Sequence, residues 1–408
     1  MSLASTRLDA SLLRPNDDVA TALFDLDAGT KLRVEAGSAG HDVRLVERIA
    51  TGHKFAVRDL AAGLRIRKYG ECIGRLTADV PAGAWIHDHN LETSARRDPC
   101  HEQAWSHPVD APVEVAAYTC TSVGENPLYD ARTNTLYFID VRDTPAIHAL
   151  DLASREAKRW PLAEDIGSIA LTSGRELLAG LRSGFAFFDP ESGAFTPVHD
   201  PEAHLPRNRM NDGRCDPRGR FWCGSMNPDS GLAEGSLYVL DADLACRREH
   251  GGYLTPNGIA WTLDARTMYV ADTRRGVIYA FAFDVERGTL GERRVFADLG
   301  SLPGGPDGAT VDAEGFLWSA QFDGGCLIRY EPSGRMDRVV RVPVDKPTSC
   351  AFGSADCRTL FVTTATRGLD ANARAAQPLA GRVLALDVGV AGLPPVRFAG
   401  TPPSRRTS

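Results

Sequence analysis

An internal repeat of forty to fifty residues constrains the fold of this chain more than any other feature. From about Glu125 onward the sequence returns to one pattern: a polar turn, a few residues, an Asp/Gly turn and an aromatic-rich strand. Successive strands start 41, 44, 47, 49 and 43 residues apart. The starts are Leu136, Leu177, Phe221, Met268, Leu317 and Leu360. Periods of this length are typical of propellers and of helical arrays.

The local pattern favours a propeller over a helical array. The recurring segments are short, aromatic and β-branched, and Gly, Asp and Pro bound them, which is typical of strands and tight turns. Long apolar stretches with a 3.6-residue period are missing between them. A blade of four short strands needs roughly 40–45 residues. Six repeats therefore predict an all-β, six-bladed β-propeller over residues 116–400, followed by a tail at 401–408.

Four polar residues occupy the same place in this repeat. Glu125 and Asn257 lie 11 residues before the next strand start, and Asn211 and Asp307 lie 10 before it. Equivalent positions of a propeller form a ring around its central channel, so we expect the four side chains to converge on one site. Two carboxylates and two amides offer only oxygen, which suits one divalent cation: Ca²⁺, Mg²⁺ or Mn²⁺, with Zn²⁺ also admitted.

Each of these residues also has an ordinary structural interpretation. Asn and Asp beside Gly are common turn formers because their side chains bond the nearby backbone. The matched phase in four of six repeats is what favours a metal or polar-ligand site. The sequence shows no G-x-S-x-G elbow, H-E-x-x-H, P-loop or G-x-G-x-x-G that would supply another hydrolytic or nucleotide-binding device.

Composition limits the classes of binding partner and the cellular compartment that we expect for this chain. The net charge is −7 and no Lys/Arg-rich stretch interleaves with aromatics, so we expect neither nucleic acid nor a membrane surface as a partner. No apolar run approaches the ~18 residues that cross a bilayer, and the first thirty residues lack a signal-peptide core. The nine cysteines form no regular framework, and Cys223, Cys326 and Cys350 fall in predicted strands as small hydrophobes. These features predict a reduced, cytoplasmic protein.

Four motifs give the propeller region a resemblance to a known family. They are G-E-N-P-L-Y-D (124–130), R-M-N-D-G-R-C-D (209–216), T-P-N-G-I-A-W (255–261) and G-P-D-G-A-T-V-D (305–312). From about Gly124 to Asp370 the chain resembles the senescence marker protein/gluconolactonase/luciferin-regenerating enzyme family. The resemblance implies a six-bladed propeller, a single divalent cation in its channel and hydrolysis of sugar lactones.

The resemblance also implies a role for each motif residue. Glu125, Asn257 and Asp307 match the metal ligands of the family, and Asn211 matches the neighbouring amide that binds metal or substrate. Arg209 matches the arginine that holds substrate oxygens. Asp307 is the candidate catalytic base, because a carboxylate beside the metal can orient the attacking water.

The sequence departs from the family pattern at two places. Asn126 replaces the second glycine of the usual G-E-G-P, which keeps the ligand but crowds the turn. Asn227-Pro228-Asp229 stands where some relatives place an acidic residue that touches substrate. Asn227 or Asp229 is therefore a candidate substrate contact, and a surface turn is the alternative.

Residues 1–92 do not share the repeat and predict a separate small all-β domain, because short strand-like runs alternate with A-G turns. Pro15-Asn16-Asp17 before Val19-Ala20-Thr21 predicts one short helix. Residues 93–115 are polar and punctuated by proline, which predicts a linker.

The N-terminal domain resembles the SAF domain, a β-clip-like module, of the altronate/galactarate dehydratase family. The motifs are R-P-N-D-D-V-A-T-A-L, T-G-H-K-F-A, K-Y-G-E-C-I-G and A-W-I-H-D-H-N. His87 and His89 would share one face of a strand, and with His53 they form a candidate site for a metal or a sugar-acid carboxylate. The large dehydratase domain does not accompany the module in this sequence, so the resemblance implies a dehydratase large subunit as a partner.

These features together predict a divalent-metal-dependent lactonase that opens an aldono- or aldarolactone, with an SAF domain that binds the acid or delivers it to a dehydratase. Two alternatives stay open. One is a non-catalytic scaffold that binds sugar acid and metal, and the other is the small subunit of an altronate/galactarate-type dehydratase.

Overall fold

The computed structural model describes residues 10–12, 17–36, 39–68, 71–87, 89–92, 109–300 and 302–403. The chain divides into two compact units, residues 1–99 and 100–408. In the described ranges, helix is confined to a 3-10 turn, Thr273–Arg275, and one short α-helix, Ala371–Ala376. No helix in these ranges is both long and apolar enough to cross a membrane. The prediction of an all-β chain is confirmed.

In its described residues, the first unit contains short strands in three small sheets. The strands are β1 (Ala10–Ser11), β2 (Val19–Ala22), β3 (Lys31–Ala36), β4 (Ala39–Arg44), β5 (Lys54–Ala56), β6 (Arg65–Lys68), β7 (Glu71–Leu76), β8 (Trp85–Ile86) and β9 (Leu91–Glu92). Their sheet orders are β1-β2-β5-β8, β3-β4 and β6-β7-β9. The predicted short helix is wrong at Val19–Ala22, because the β-branched Val19 and Thr21 pair with β5 in an antiparallel ladder.

The second unit contains six successive antiparallel sheets among the described residues, which we call blades 1 to 6. Two strands precede them, β10 (Val109–Asp110) and β11 (Val113–Ala117). Blade 1 is β12 (Gly124–Asp130), β13 (Thr135–Asp140), β14 (Ala146–Asp151) and β15 (Ala157–Pro161). Blade 2 is β16 (Ile166–Leu171), β17 (Leu177–Leu181), β18 (Gly184–Phe188) and β19 (Phe195–His199). Blade 3 is β20 (Arg209–Cys215), β21 (Phe221–Met226), β22 (Gly235–Leu240) and β23 (Cys246–Tyr253).

The remaining blades follow the same order. Blade 4 is β24 (Pro256–Trp261), β25 (Thr267–Asp272), β26 (Val277–Asp284) and β27 (Thr289–Asp298). Blade 5 is β28 (Gly305–Val311), β29 (Leu317–Phe322), β30 (Cys326–Tyr330) and β31 (Met336–Arg341), with β10 added in parallel at its edge. Blade 6 is β32 (Pro347–Gly353), β33 (Thr359–Thr364) and β34 (Val383–Asp387).

The inner strands of the blades form a closed ring. Each of β12, β16, β20, β24, β28 and β32 contacts the next, and β32 returns to contact β12. Blade 6 takes its outer strand from the other end of the unit, because β11 pairs antiparallel with β34. Residues 109–110 and 113–115 of the predicted linker at 93–115 therefore belong to the propeller, because β10 and the start of β11 lie in its sheets, and residues 93–108 lie outside the described residues. The cause is that ring closure needs a fourth strand for blade 6.

Every inner strand carries a register shift near its start. The shifts fall between Glu125 and Leu128, Ile166 and Ser168, Met210 and Gly213, Asn257 and Ala260, Pro306 and Ala309, and Pro347 and Ser349. A β-bulge leaves residues unpaired, bends the strand and redirects side chains. The four predicted site residues all lie at these bulges.

The bulges account for the one-residue difference in the repeat phase. Glu125 and Asn257 are the last paired residues before their bulges, facing Ile139 and Ala271. Asn211 and Asp307 instead come one residue after the last pair, inside the bulge. All four therefore stand opposite the same position of the second strand, and the spacings of 10 and 11 describe one place in the blade.

The backbone conformation of Asn126 explains how the chain tolerates asparagine in place of the expected glycine. Its φ is 51°, in the left-handed region that Asn adopts more readily than most residues, and Gly258 has a φ of 59° at the corresponding turn of blade 4. The buried Asn126 side chain accepts a hydrogen bond from the Ile169 backbone N–H at 2.8 Å. Asn126 therefore joins the inner strands of blades 1 and 2.

Close packing of the inner strands requires glycine at one neighbouring position. A Cβ on Gly167 would lie 2.2 Å from the Met210 carbonyl oxygen and 2.6 Å from the Asn211 Cα. Blade 2 therefore has no side chain at this position of the repeat, and the strand that carries Asn211 packs into the space.

Two buried aspartates hold the turns that lead into the inner strands. Asp140, at the end of β13, accepts hydrogen bonds from the Ser122 and Val123 N–H groups. Asp272, at the end of β25, accepts from the Leu254 and Thr255 N–H groups. These bonds fix the chain just before Glu125 and Asn257.

The described cysteines form no disulfide. Cys223 and Cys350 are fully buried and Cys326 nearly so. The prediction that these three pack as small hydrophobes is confirmed.

We predict that Asn126→Gly lowers the free energy of unfolding by about 1–3 kcal/mol, because the buried Ile169 N–H loses its acceptor although glycine suits the backbone angle. Asn126→Ala should cost roughly 1 kcal/mol more, since it also places a Cβ in the left-handed region. Denaturant unfolding followed by tryptophan fluorescence measures both. Asn134→Gly is the control, because Asn134 has the same φ of 51° but is partly exposed, so water can replace its bond to Tyr129. Wild-type stability in Asn126→Gly would contradict the bridging role.

Candidate metal and substrate site

A chain of hydrogen bonds connects the predicted site residues across blades 3 and 4. Arg209 Nη1 donates to Asn211 Oδ1 at 2.7 Å, and Asn211 Nδ2 donates to Asn257 Oδ1 at 2.6 Å. Asn257 Nδ2 in turn donates to Thr273 Oγ1 at 2.8 Å. Thr273 Oγ1 donates a hydrogen bond to the Pro306 carbonyl at 2.7 Å, next to Asp307. The chain orients both amides, so that Asn257 presents its oxygen toward Asn211.

Two buried carboxylates from blades 1 and 5 interact with each other. Glu125 is 9% exposed and Asp307 is 5% exposed. Burial raises the pKa of both groups, and the charge of Glu125 raises the pKa of Asp307 further. Glu125 Oε2 accepts one hydrogen bond, from the Asn126 N–H at 3.0 Å. Among the described residues, Asp307 Oδ1 has no hydrogen-bond partner.

A third carboxylate, Asp212, lies in the same buried region. Its charge raises the pKa of Glu125 and Asp307, and burial raises the pKa of Asp212 itself. Asp212 Oδ2 accepts from the Ile259 N–H at 3.2 Å. We did not predict this residue, because strand alternation would send Asn211 and Asp212 to opposite faces. The bulge from Met210 to Gly213 breaks that alternation.

The residues present fit a hard divalent cation. Buried anions that repel one another are stabilised by a bound cation, and an acceptor oxygen without a donor is available to coordinate it. The donor set is carboxylate and amide oxygen, as Ca²⁺, Mg²⁺ and Mn²⁺ prefer. No group of three or more His, Cys, Asp or Glu residues in the described ranges could hold a metal by itself. The proposed ligand set therefore depends on the amide oxygen of Asn257 as well as on the acids.

Arg209 lies between the buried acids Glu125 and Asp307 on one side and Asp165 on the other. The charges of Glu125 and Asp307 both interact with it. Its Nε lies 3.9 Å from Asp165 Oδ2, at the start of blade 2. Burial lowers the pKa of Arg209 to about 10, so it stays charged at neutral pH. A guanidinium is a multiple N–H donor that pairs with oxygen acceptors, and the role of Arg209 in holding substrate oxygens stays a prediction.

Asn227 and Asp229 lie in a turn after β21. Asn227 Nδ2 donates to Glu234 Oε2 at 2.8 Å, and Asn227 Oδ1 accepts from the Asp229 N–H at 3.1 Å. Two carbonyls of the same turn bond the guanidinium of Arg274, from blade 4. The geometry gives Asn227 a turn-forming role, and its contact with substrate stays a prediction.

The first unit brings His53, His87 and His89 together around Trp85, a residue that we did not predict. Ring centroids lie 5.3 Å apart for His53–Trp85, 4.9 Å for Trp85–His87 and 5.2 Å for Trp85–His89. Strand β8 ends at Ile86, so the expectation that His87 and His89 share a strand face is wrong. The Asn90 side chain stabilises a turn after β8. Asn90 Oδ1 accepts from the His87 N–H, and Asn90 Nδ2 donates to the Trp85 carbonyl.

A cavity of about 360 Å³ lies elsewhere in the propeller. Its lining is mainly apolar and includes Trp160, Leu162, Phe185 and Phe195. Glu164, an acid in this lining, is already bonded to Ser183. The cavity contains none of the predicted site residues and offers no comparable charge.

The sequence matches two protein families over separate ranges. Residues 123–366 match the SMP-30/gluconolactonase/LRE-like region, and residues 10–94 match the altronate/galactarate dehydratase SAF domain. The first match covers more than half of the chain and contains all of the ring residues.

Individual relatives agree with the longer match. Regucalcin from Gallus gallus is 33% identical over 285 residues, which is 68% of this chain and 95% of the relative. The 6-deoxy-6-sulfogluconolactonase from Pseudomonas putida is 33% identical over 279 residues, again 68% of this chain and 95% of the relative. The solved structure of a calcium-binding regucalcin from Agrobacterium tumefaciens is 29% identical, with a TM-score of 0.68, and covers 71% of this chain and 98% of its own. The chain therefore belongs to the SMP-30/gluconolactonase/LRE-like family and carries an N-terminal SAF domain of the altronate/galactarate dehydratase type.

Proposed function

We propose that this protein hydrolyses a sugar lactone to its sugar acid with the help of one divalent cation. The observations that support the proposal are the burial of Glu125, Asn257 and Asp307, the charge interaction between the two acids, and the Asp307 Oδ1 atom, which lacks a hydrogen-bond partner in the described part of the chain. Family membership and the lactonase named among the relatives support the same reaction.

In the proposed reaction, water adds to the lactone carbonyl carbon and the ring carbon–oxygen bond breaks. Asp307 orients this water and accepts a proton from it through its buried carboxylate. The ring oxygen takes up the proton held by Asp307 as it leaves, which gives the open hydroxy acid. Arg209 holds substrate oxygens through its remaining N–H groups. Asn211 donates both of its amide N–H groups, to the Pro256 carbonyl and to Asn257 Oδ1, so it acts on substrate by orienting Arg209 and Asn257. A bound divalent cation supplies Lewis-acid polarisation of the carbonyl.

Glu125, Asn257 and Asp307 are the proposed ligands of that cation. We predict that Glu125→Gln and Asp307→Asn each weaken binding of Ca²⁺ or Mn²⁺ by at least roughly tenfold, because each isosteric change removes a negative charge from the ligand set. Calorimetric titration of the chelator-stripped full chain measures this without any substrate. Asp264→Asn is the matched control, since Asp264 is exposed at the opposite end of blade 4 from Asn257. Unchanged affinity in both ring variants would rule out this ligand set.

For catalysis, we predict that the purified chain opens lactones faster than they open in buffer, that a chelator abolishes the activity and that metal restores it. Asp307→Asn should lower kcat by roughly 10²- to 10⁴-fold through loss of the base, whereas Asp264→Asn should keep full activity. Release of acid in a pH-stat, over a panel of pentono- and hexonolactones, is the measurement. No acceleration on any lactone with any cation would sink the enzymatic proposal. Ligand-induced thermal stabilisation without hydrolysis would instead favour the non-catalytic scaffold.

We propose that the first unit binds the hydroxy acid product and presents it to a dehydratase subunit. The histidine cluster around Trp85 supports this, because imidazole N–H donors and an indole face together suit a polyhydroxylated acid. We also propose a cytoplasmic location. The free buried thiols support it, because they suit a reducing compartment.

We therefore expect a hydroxy acid to bind the Glu125→Gln full chain, in which the propeller site is weakened, with an affinity that His53→Ala reduces at least roughly fivefold. His41→Ala is the control, because His41 lies on the separate β3-β4 hairpin. Calorimetry gives both affinities. Equal binding by the two histidine variants would contradict a role for the cluster.

A further inference from the structure

Three arginines share a single carboxylate oxygen beside the acidic ring. Asp165 Oδ2 lies 2.9 Å from Arg182 Nη2, 3.9 Å from Arg209 Nε and 4.0 Å from Arg142 Nε. Only the first of these distances is a hydrogen bond. Asp165 carries one negative charge and the three guanidinium groups carry three positive charges, so positive charge is in excess. We call these three residues (Arg142, Arg182 and Arg209) the arginine group.

The protein leaves donors of this group unused. Arg209 Nε is buried and has no hydrogen-bond partner among the described residues. In the same ranges Arg142 makes two ion contacts, at 4.0 Å to Asp165 and at 3.9 Å to Asp229, and both exceed hydrogen-bond length. Asp229 is largely exposed, so solvent screens its contact. The side chains of Arg142 and Arg182 stay partly accessible, at 20% and 36%.

The arginine group lies at the end of the propeller that carries the ring. Arg142 and Arg182 follow the second strands of blades 1 and 2, and Asp165 precedes the inner strand of blade 2. In an antiparallel pair, the end of the second strand lies beside the start of the first, where the ring residues are. Arg209 belongs to both groups, because it also bonds Asn211.

We infer that the arginine group binds an acidic substituent of the lactone, a carboxylate or sulfonate, at the end of the sugar away from the carbonyl. The inference rests on the proposed lactonase function and names its substrate class. Guanidinium donors pair with the oxygens of such acids in fixed geometry. The carboxylates of the ring repel the acidic end, and the arginines attract it. The charges therefore orient the substrate with its neutral carbonyl toward the ring.

A purely structural role explains Arg182 but not Arg142. Arg182 secures the start of β16 twice, through its side chain and through its backbone N–H, which donates to the Asp165 carbonyl at 2.9 Å. Arg142 forms no hydrogen bond among the described residues. Substitution of Arg142 therefore tests recognition with little structural cost.

The test compares three lactones of one ring size that differ only at the far carbon: neutral, carboxylate-bearing and sulfonate-bearing. Arg142→Gln should lower kcat/KM for an acidic lactone by roughly tenfold or more, mainly through KM, and change the neutral lactone less than about threefold. Arg142→Lys should recover part of the loss. Arg175→Gln is the control: it removes the same charge from an exposed turn at the opposite end of blade 2 and should change nothing.

The outcomes separate the two proposals. If Arg142→Gln hydrolyses all three lactones with an equal loss of kcat/KM, or with no loss, the inferred role of the arginine group is wrong. The proposed lactonase activity is then still supported. Selective loss on one acid identifies carboxylate or sulfonate as the recognised group. If no lactone is opened, the proposed function fails, and calorimetric binding of dicarboxylic against monocarboxylic hydroxy acids still decides the inference. Equal affinity for the two acids in wild type and in Arg142→Gln would overturn it.

Discussion

Closure of the ring of inner strands is the constraint on which the site depends. Blade 6 is completed by pairing of β11 with β34, and β32 contacts β12, so strands far apart in sequence meet where the ring closes. The inner strands then approach so closely that Gly167 has no room for a Cβ. Bulges at the start of each strand turn polar side chains out of the sheet pairing and toward this crowded end. Fold closure and site assembly are therefore the same event.

Charge gives this end of the propeller two different sides. Glu125, Asp212 and Asp307 are buried acids whose charges raise the pKa of Glu125 and of Asp307. Arg142 and Arg182 lie on the other side with a surplus of positive charge. Arg209 stands between them and bonds the amide chain that leads to Asn257. A ligand with one neutral electrophilic end and one acidic end complements this arrangement better than a uniformly neutral sugar does.

Some parts of this site were predictable because they repeat. The phase of Glu125, Asn211, Asn257 and Asp307 is visible in the sequence, since each belongs to the same turn of a recurring unit. Asp212, Asp165 and Arg142 were not predictable from phase. Asp212 becomes available only through a bulge, and the other two lie in loops whose neighbours come from other blades. In the first unit, Trp85 was missed for a similar reason, because its histidine neighbours come from two separate segments.

The repeat, the all-β class and the oxygen-only chemistry of the ring were predictable from the amino-acid sequence, because these follow from local spacing and residue type. The tertiary structure alone decided which carboxylates share a buried volume, which atom of Asp307 lacks a partner and which arginines face Asp165. The physical reason is that burial and electrostatic coupling depend on distances between blades. Those distances are set only when the ring closes.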